Sequence, residues 1–413
     1  MKKTLAAVAV LGAFAGSALA ADVQLYGIVD TGLGYNHVDV DKFEKGVNLG
    51  TAGTYSASDS DSFSMKSGQA SGSRFGFKGT EDLGNGLTVG FILENGILSD
   101  SGVDDGVAFN RESSLFVQGS FGRFAMGRLG SINNGQSSWA KIGMINAFGT
   151  SSWGGITAQV SNLMSTAGQW DNMIAYETPD FAGFKLFTQY GMGSNDNENE
   201  SSSNRFYSLG VTYNNGPFAG YFAVDSINYK TAKFSKGEWP NNGDDIDDSL
   251  TVTLGGSYDF DVVKIYLGAQ YFDEVRLSSL GGPICRANDV RDLGISGFDL
   301  SINDIAKLKG YGISLSGDAP LAGGRVMFGL GYVDADAADS LDKALSQNIA
   351  GFRDFEIQRY VVSAGYSYPF SKRTDVYGVA SYMQDNEDTS RESGTLEQDP
   401  SAYSFYVGLR HRF

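Results

Sequence analysis

The sequence predicts an all-β fold, a closed 16-stranded antiparallel transmembrane β-barrel. Three observations predict it. Short segments along the whole chain alternate apolar and polar residues with period 2. Short and long connections between them alternate strictly. No apolar run reaches the roughly 18 residues that a membrane-spanning helix needs.

Residues 1–20 read as a signal peptide that is removed. Lys2 and Lys3 open a short positive region, Leu5 to Ala15 form an apolar run, and Ala18 and Ala20 make a small-residue cleavage pattern. The mature chain is then 21–413, a single exported barrel domain. Its 55 glycines and 13% aromatics against only 7 prolines suit strands, and helical patterning is almost absent. The glycines read as strand bends and close packing in a curved sheet. Cys285 is the single cysteine, which rules out an internal disulfide and reads as a free thiol in a loop.

The formal net charge is −17; without Lys2 and Lys3, 29 basic residues face 48 acidic ones, or −19. A chain so acidic is not expected to bind nucleic acid, whose phosphates need Lys and Arg partners. The acids concentrate at Asp59 to Asp61, Asp196 to Glu200, Asp244 to Asp248 and Asp385 to Asp388, which reads as a solvated outer surface. A loop Ca²⁺ site is the sharper alternative. Two isolated histidines, His37 and His411, and one cysteine make neither a zinc site nor a general-base constellation. No cofactor, no metal and no enzymatic activity are therefore expected.

Sixteen strands fall near 22–36, 70–80, 86–97, 111–119, 123–130, 169–177, 183–192 and 204–215. They continue at 217–227, 249–260, 262–274, 308–317, 323–334, 356–369, 373–385 and 401–413. The last is the clearest, with Tyr403, Phe405, Val407, Leu409, His411 and Phe413 on one face and Ser404, Tyr406, Gly408, Arg410 and Arg412 on the other. The first sets Val23, Leu25, Val29 and Leu33 against Asp22, Gln24, Tyr26 and Asp30. Short turns such as Glu81–Asn85, Thr178–Ala182, Asn214–Gly216 and Ala319–Ala322 carry turn chemistry. Long polar loops lie near 37–69, 98–110, 131–168, 193–203, 228–248, 275–307, 335–355 and 386–400. Seven short and eight long connections put every long loop on one side, the anatomy of a bacterial outer-membrane barrel. Closure is obligatory, because in hydrocarbon every backbone N–H and C=O needs an internal partner.

Several stretches resemble a known family. SGSRFGFKGTEDLGNGLTVGFILENG (71–96), FGRFAMGR (121–128), YETPDFAGF (176–184), YPFSKRTDVYGVASY (368–382) and YVGLRHRF (406–413) are similar to general trimeric porins of Gram-negative bacteria. The resemblance implies a homotrimer in the cell outer membrane, an inward-folded third loop at about 131–168, and passive diffusion of ions and small hydrophilic solutes. It also implies contact with outer-membrane lipid and lipopolysaccharide, and a C-terminal Phe413 read by the barrel-assembly machinery. A substrate-specific channel for a sugar or organic acid is the alternative reading, and an outer-membrane barrel enzyme a remote one.

Selectivity in such a channel comes from lumen charges at its narrowest level. Arg74 and Lys78 alternate with Phe75 and Phe77 and should point inward, since either cation facing lipid at the midplane would cost about 2–4 kcal/mol. Glu94, opposite in parity to Phe91 and Leu93, and Arg359, opposite Tyr360 and Val362, should face the lumen too. Arg128 is placed in the constriction by the resemblance, although its parity with Phe124 and Met126 requires a bulge. Arg111 lies at a strand end. Lys141 is the only charge between Leu129 and Trp170, a loop without Asp or Glu. Related porins usually carry acids in that loop, and Gln169 stands where they carry an arginine. The expectation is a locally basic constriction beneath an acidic vestibule, with Trp139, Phe148 and Trp153 packing the loop to the wall or stacking sugars.

Overall fold

The structure, a computed structural model, describes residues 23–45, 54–153, 155–193, 204–229, 247–275, 307–348, 352–392 and 394–413. The predicted leader 1–20 and Cys285 lie outside the described residues. The first strands are β1 (Gln24–Lys45), β2 (Thr54–Ser67), β3 (Arg74–Gly84), β4 (Leu87–Leu98), β5 (Val103–Asp104) and β6 (Glu112–Gly119). Then come β7 (Gly122–Gly130), β8 (Gln169–Glu177), β9 (Phe184–Gly191), β10 (Arg205–Asn215), β11 (Phe218–Asn228) and β12 (Ser249–Asp259). The chain ends with β13 (Lys264–Val275), β14 (Leu308–Leu321), β15 (Gly324–Ala337), β16 (Phe352–Pro369), β17 (Thr374–Arg391) and β18 (Gly394–Arg412).

All except β2 and β5 are staves of one closed antiparallel barrel of 16 strands. Closure runs through β1, which pairs with β18 from Ile28↔Arg412 upward and with β3 over Gln24↔Lys78 to Ile28↔Arg74. Above that level β2 takes the place of β3, from Thr31↔Ser67 to Glu44↔Thr54. Phe413 completes the seam, donating its N–H to Gly27 O at 3.0 Å and accepting from Gly27 N at 3.2 Å.

The pleat makes the barrel inside-out. Leu254, Leu267, Leu330, Val407 and Leu409 are half or more exposed on the outer face. Ser208, Thr253, Ser314, Ser316 and Ser363 are buried on the inner one. Both histidines sit on outer-face parity, His37 stacked on Tyr403 and His411 bonded to Thr374.

Three hairpins turn on two consecutive residues of positive φ: Asn85-Gly86 (53°, 75°), Ala182-Gly183 (53°, 92°) and Ala322-Gly323 (49°, 80°). This pattern matches the strand twist. Two expected turns begin too early, because Glu81 and Asp82 still pair with Val89 and Thr88, and Pro320 with Arg325. At the other end β1, β17 and β18 outrun the prediction, and the expected loop 386–400 is mostly a continuing hairpin. There both faces of β17 and β18 carry polar residues, so the ladder persists without the apolar alternation that marks the other strands.

Candidate functional site: the narrowed lumen

The loop between β7 and β8, residues 131–168, runs along the inner wall. It contains a 3₁₀ turn (Ile142–Ile145) and a short helix, α1 (Val160–Leu163). Ile132, Trp139, Ile142, Ile145, Val160 and Leu163 are at most 1% exposed and pack against Phe116, Phe187, Phe206, Phe272, Val333 and Met383 of the wall. Burying such a side chain contributes about 1.5–3 kcal/mol, which holds an otherwise polar loop inside. Phe148 and Trp153 are buried as well, so the loop aromatics pack and offer no free stacking surface.

Wall glycines make room for these side chains. A Cβ on Gly268 would stand 2.7 Å from Ile145 Cδ1, one on Gly329 2.9 Å from Ala158 Cβ and 3.0 Å from Phe148 Cε2, and one on Gly331 2.9 Å from Leu163 Cγ. Part of the glycine content therefore serves loop docking as well as sheet curvature.

Polar pins fix the loop's register. Asn133 donates to Asp225 at 2.8 Å and accepts from Tyr221 Oη at 2.5 Å. Ser138 N and Oγ donate to Glu112 at 2.7 and 3.0 Å. Backbone N–H groups of Ala147, Ala158 and Ser165 donate to Ser316, Ser363 and Gln270 at 2.9, 2.8 and 2.7 Å. Arg359, ion-paired to Asp385 at 3.0 Å, donates to Asn162 O at 2.6 Å.

Beside the loop lies a cavity of about 340 Å³. One side is Arg74, Arg111 and the serines of 71–73; the other is Gly135, Gln136 and the loop tip Thr150–Ser152, with Asp105 at the rim. Glu94 organises the charged side. It accepts from Arg111 Nε at 2.6 Å and Tyr26 Oη at 3.0 Å, and lies 3.4 Å from Arg74 Nε. Arg111 Nη1 reaches across to Gln136 Oε1 at 3.0 Å, and Arg74 Nη1 to Gly72 O at 3.0 Å. Lys78 sits 5.3 Å above the Tyr26 ring.

The predicted residues thus divide. Arg74 and Glu94 come together with Arg111, whereas Lys78 lines a separate cavity with Gln24, Thr80 and Phe91. Arg128 sits at the bulge its parity required: Gly127 has φ +133°, and the β7–β8 register shifts between Gly127 and Leu129. Its guanidinium pairs with Asp171 and donates to Asn110 O at 2.7 Å. Lys141 lies apart, donating to Ser138 O at 3.1 Å with its Nζ 5.6 Å from the Phe187 ring. Burial lowers its pKa below the ordinary lysine range, partly offset by Glu177. Arg359 requires a correction. It is 0% exposed, because the loop covers the wall that its parity faces, so it anchors the loop and presents no charge to solutes.

Sequence reasoning missed Glu112, which fastens the loop root, and Arg123, whose guanidinium lies 4.4 Å from the Phe116 ring and 4.8 Å from Trp139. Both share strand parity with buried residues, Ser114 and Ala125, and that signal was available.

A family model described as Gram-negative porin matches residues 6–389. An outer membrane porin protein of Bordetella pertussis is 33% identical over 434 residues, covering 100% of both chains. Among solved structures, an anion-selective porin from Comamonas acidovorans shares 23% identity with a TM-score of 0.59, over 95% of this chain and 100% of its own. The trimer form of OmpT, an outer membrane protein of Vibrio cholerae, shares 16% identity with a TM-score of 0.53, over 95% and 100%.

Proposed function

The chain belongs to the Gram-negative porin family and is a passive outer-membrane channel, and from that premise we propose that Arg74, Arg111 and Glu94 set its selectivity. One observation carries the reading: these groups line the gap opposite a loop tip made of hydroxyl and amide groups with no acid of its own. Two guanidiniums sharing one carboxylate leave one net positive charge on the wall side of this gap, and Asp105 at its rim offsets part of it. Related channels that oppose basic and acidic walls create a strong transverse field; here the loop side is neutral, and the preference is for anions and modest.

Lys78 extends the basic side, while Lys141 and Arg123 add positive charge along the root of the loop. Arg128, paired with Asp171, ties the bulged end of β7 to β8 where the loop leaves the wall. No reaction is assigned to the chain, since His37 and His411 both share the outer-face parity, away from the lumen. The assembly is a homotrimer, as in the Vibrio relative. The outer apolar face meets lipid and lipopolysaccharide, and Phe413, at the closing seam, is the residue the assembly machinery reads.

Reversal potentials in a salt gradient across planar bilayers test the proposal. Wild-type channels are expected to favour anions weakly, and R74Q and R111Q each to move the potential toward cations. Near-perfect selectivity for either ion, or no shift in either variant, contradicts it.

A further inference from the structure

The first loop also enters the lumen on its way back. Because β1 pairs with β3 only up to Ile28 and with β2 only from Thr31, the chain between Gly68 and Ser73 has no place in the wall. It turns inward, and Gln69, Ala70 and Ser73 are buried.

Asp30 stands at this handover and is 0% exposed. Its carboxylate accepts from Ala70 N at 2.9 Å, Ser71 N at 2.7 Å and Tyr377 Oη at 2.5 Å. Its backbone O accepts from Gly68 N at 2.8 Å, and its N–H donates to Ser73 Oγ at 3.0 Å. A buried carboxylate must find donors, and two of its three come from the backbone of the returning segment. Arg410, held by Asp375 at 2.8 Å, adds bonds to Ser71 Oγ at 2.7 Å and Ala70 O at 3.3 Å.

The tip of the third loop rests on this segment. Trp153 N donates to Gln69 O at 2.8 Å, and the indole packs edge-on to Tyr377 at 5.4 Å. On the other side Gly72 lies so close to Arg111 that a Cβ there would be 2.9 Å from Nη1.

We propose that Gly68–Ser73 is a second constricting element and that Asp30 is its positioning residue, setting the width of the passage beside Arg74 and Arg111. The inference rests on the location of the eyelet given above. The third loop follows the inner wall, and the first loop fixes where its tip stops.

Flux of neutral sugars of graded size into proteoliposomes tests it, read as the trisaccharide-to-monosaccharide ratio. A change in the number of folded channels scales every solute alike and leaves that ratio fixed. D30N is expected to raise the ratio severalfold, Y377F to raise it less, and W153A to reproduce the D30N effect. The D30N/W153A double variant is expected to match the larger single one. An unchanged ratio in D30N overturns the proposal. If D30N does not assemble, an unchanged ratio in both Y377F and W153A overturns it, since each leaves the carboxylate in place. The eyelet reading fails separately, when R74Q and R111Q leave the reversal potential unmoved whatever the sugar ratio does.

Discussion

Arg359 Nη1 on β16 donates to the carbonyl oxygen of Asn162, on the returning limb of the third loop, at 2.6 Å and across 197 positions of sequence. The guanidinium is wholly buried and its Nε lies 3.0 Å from Asp385. Removing one partner of such a pair strands the other charge, at a cost of about 3–5 kcal/mol. R359M is therefore expected to lower the temperature at which the folded barrel melts on a denaturing gel. It should also add low-frequency noise to the open-channel current as the limb loosens. A quiet channel with the wild-type melting temperature would show that the bond does not hold the loop.

The contact between Gly268 and Ile145 predicts the opposite disturbance. Any side chain at Gly268 enters the space of Ile145, with a Cβ 2.7 Å from its Cδ1. Overpacking of this kind costs about 1–3 kcal/mol, and the loop has only the lumen to move into. G268V should lower single-channel conductance while the barrel still folds. Wild-type conductance would mean that the wall yields instead of the loop.

Glu94 compensates two guanidiniums, at 2.6 and 3.4 Å. E94Q keeps the shape and removes the compensation, so the reversal potential should move toward anions, opposite in sign to R74Q. A shift toward cations would place the controlling charge elsewhere.

Phe413 closes the seam through two main-chain bonds to Gly27. Net contributions of such bonds are about 0.5–1.5 kcal/mol each, and hydrocarbon offers no substitute partner. Deleting Phe413 should reduce the fraction of heat-modifiable, folded barrel recovered from outer membranes. Undiminished recovery would remove both the seam and the assembly role from this residue.

All sixteen staves are legible in the sequence, because a strand between lipid and water must alternate and that period is written locally. The lumen parity of Arg74, Lys78 and Glu94 followed from the same alternation. Arg128 was legible only conditionally, since a bulge at Gly127 breaks the count. The upper parts of β1, β17 and β18 were not legible, since their largely polar residues carry no outward apolar period.

What the sequence by itself determined is the barrel: strand number, closure, and which face of each stave meets lipid. What only the tertiary structure decided is the aperture. Asn133 finds Asp225, Asn162 finds Arg359, and Asp30 finds Tyr377 across 92, 197 and 347 positions. The physical reason is range. Alternation between two solvents acts on neighbouring residues, whereas the buried charges and glycine recesses that seat an inward loop acquire meaning only once distant strands stand side by side.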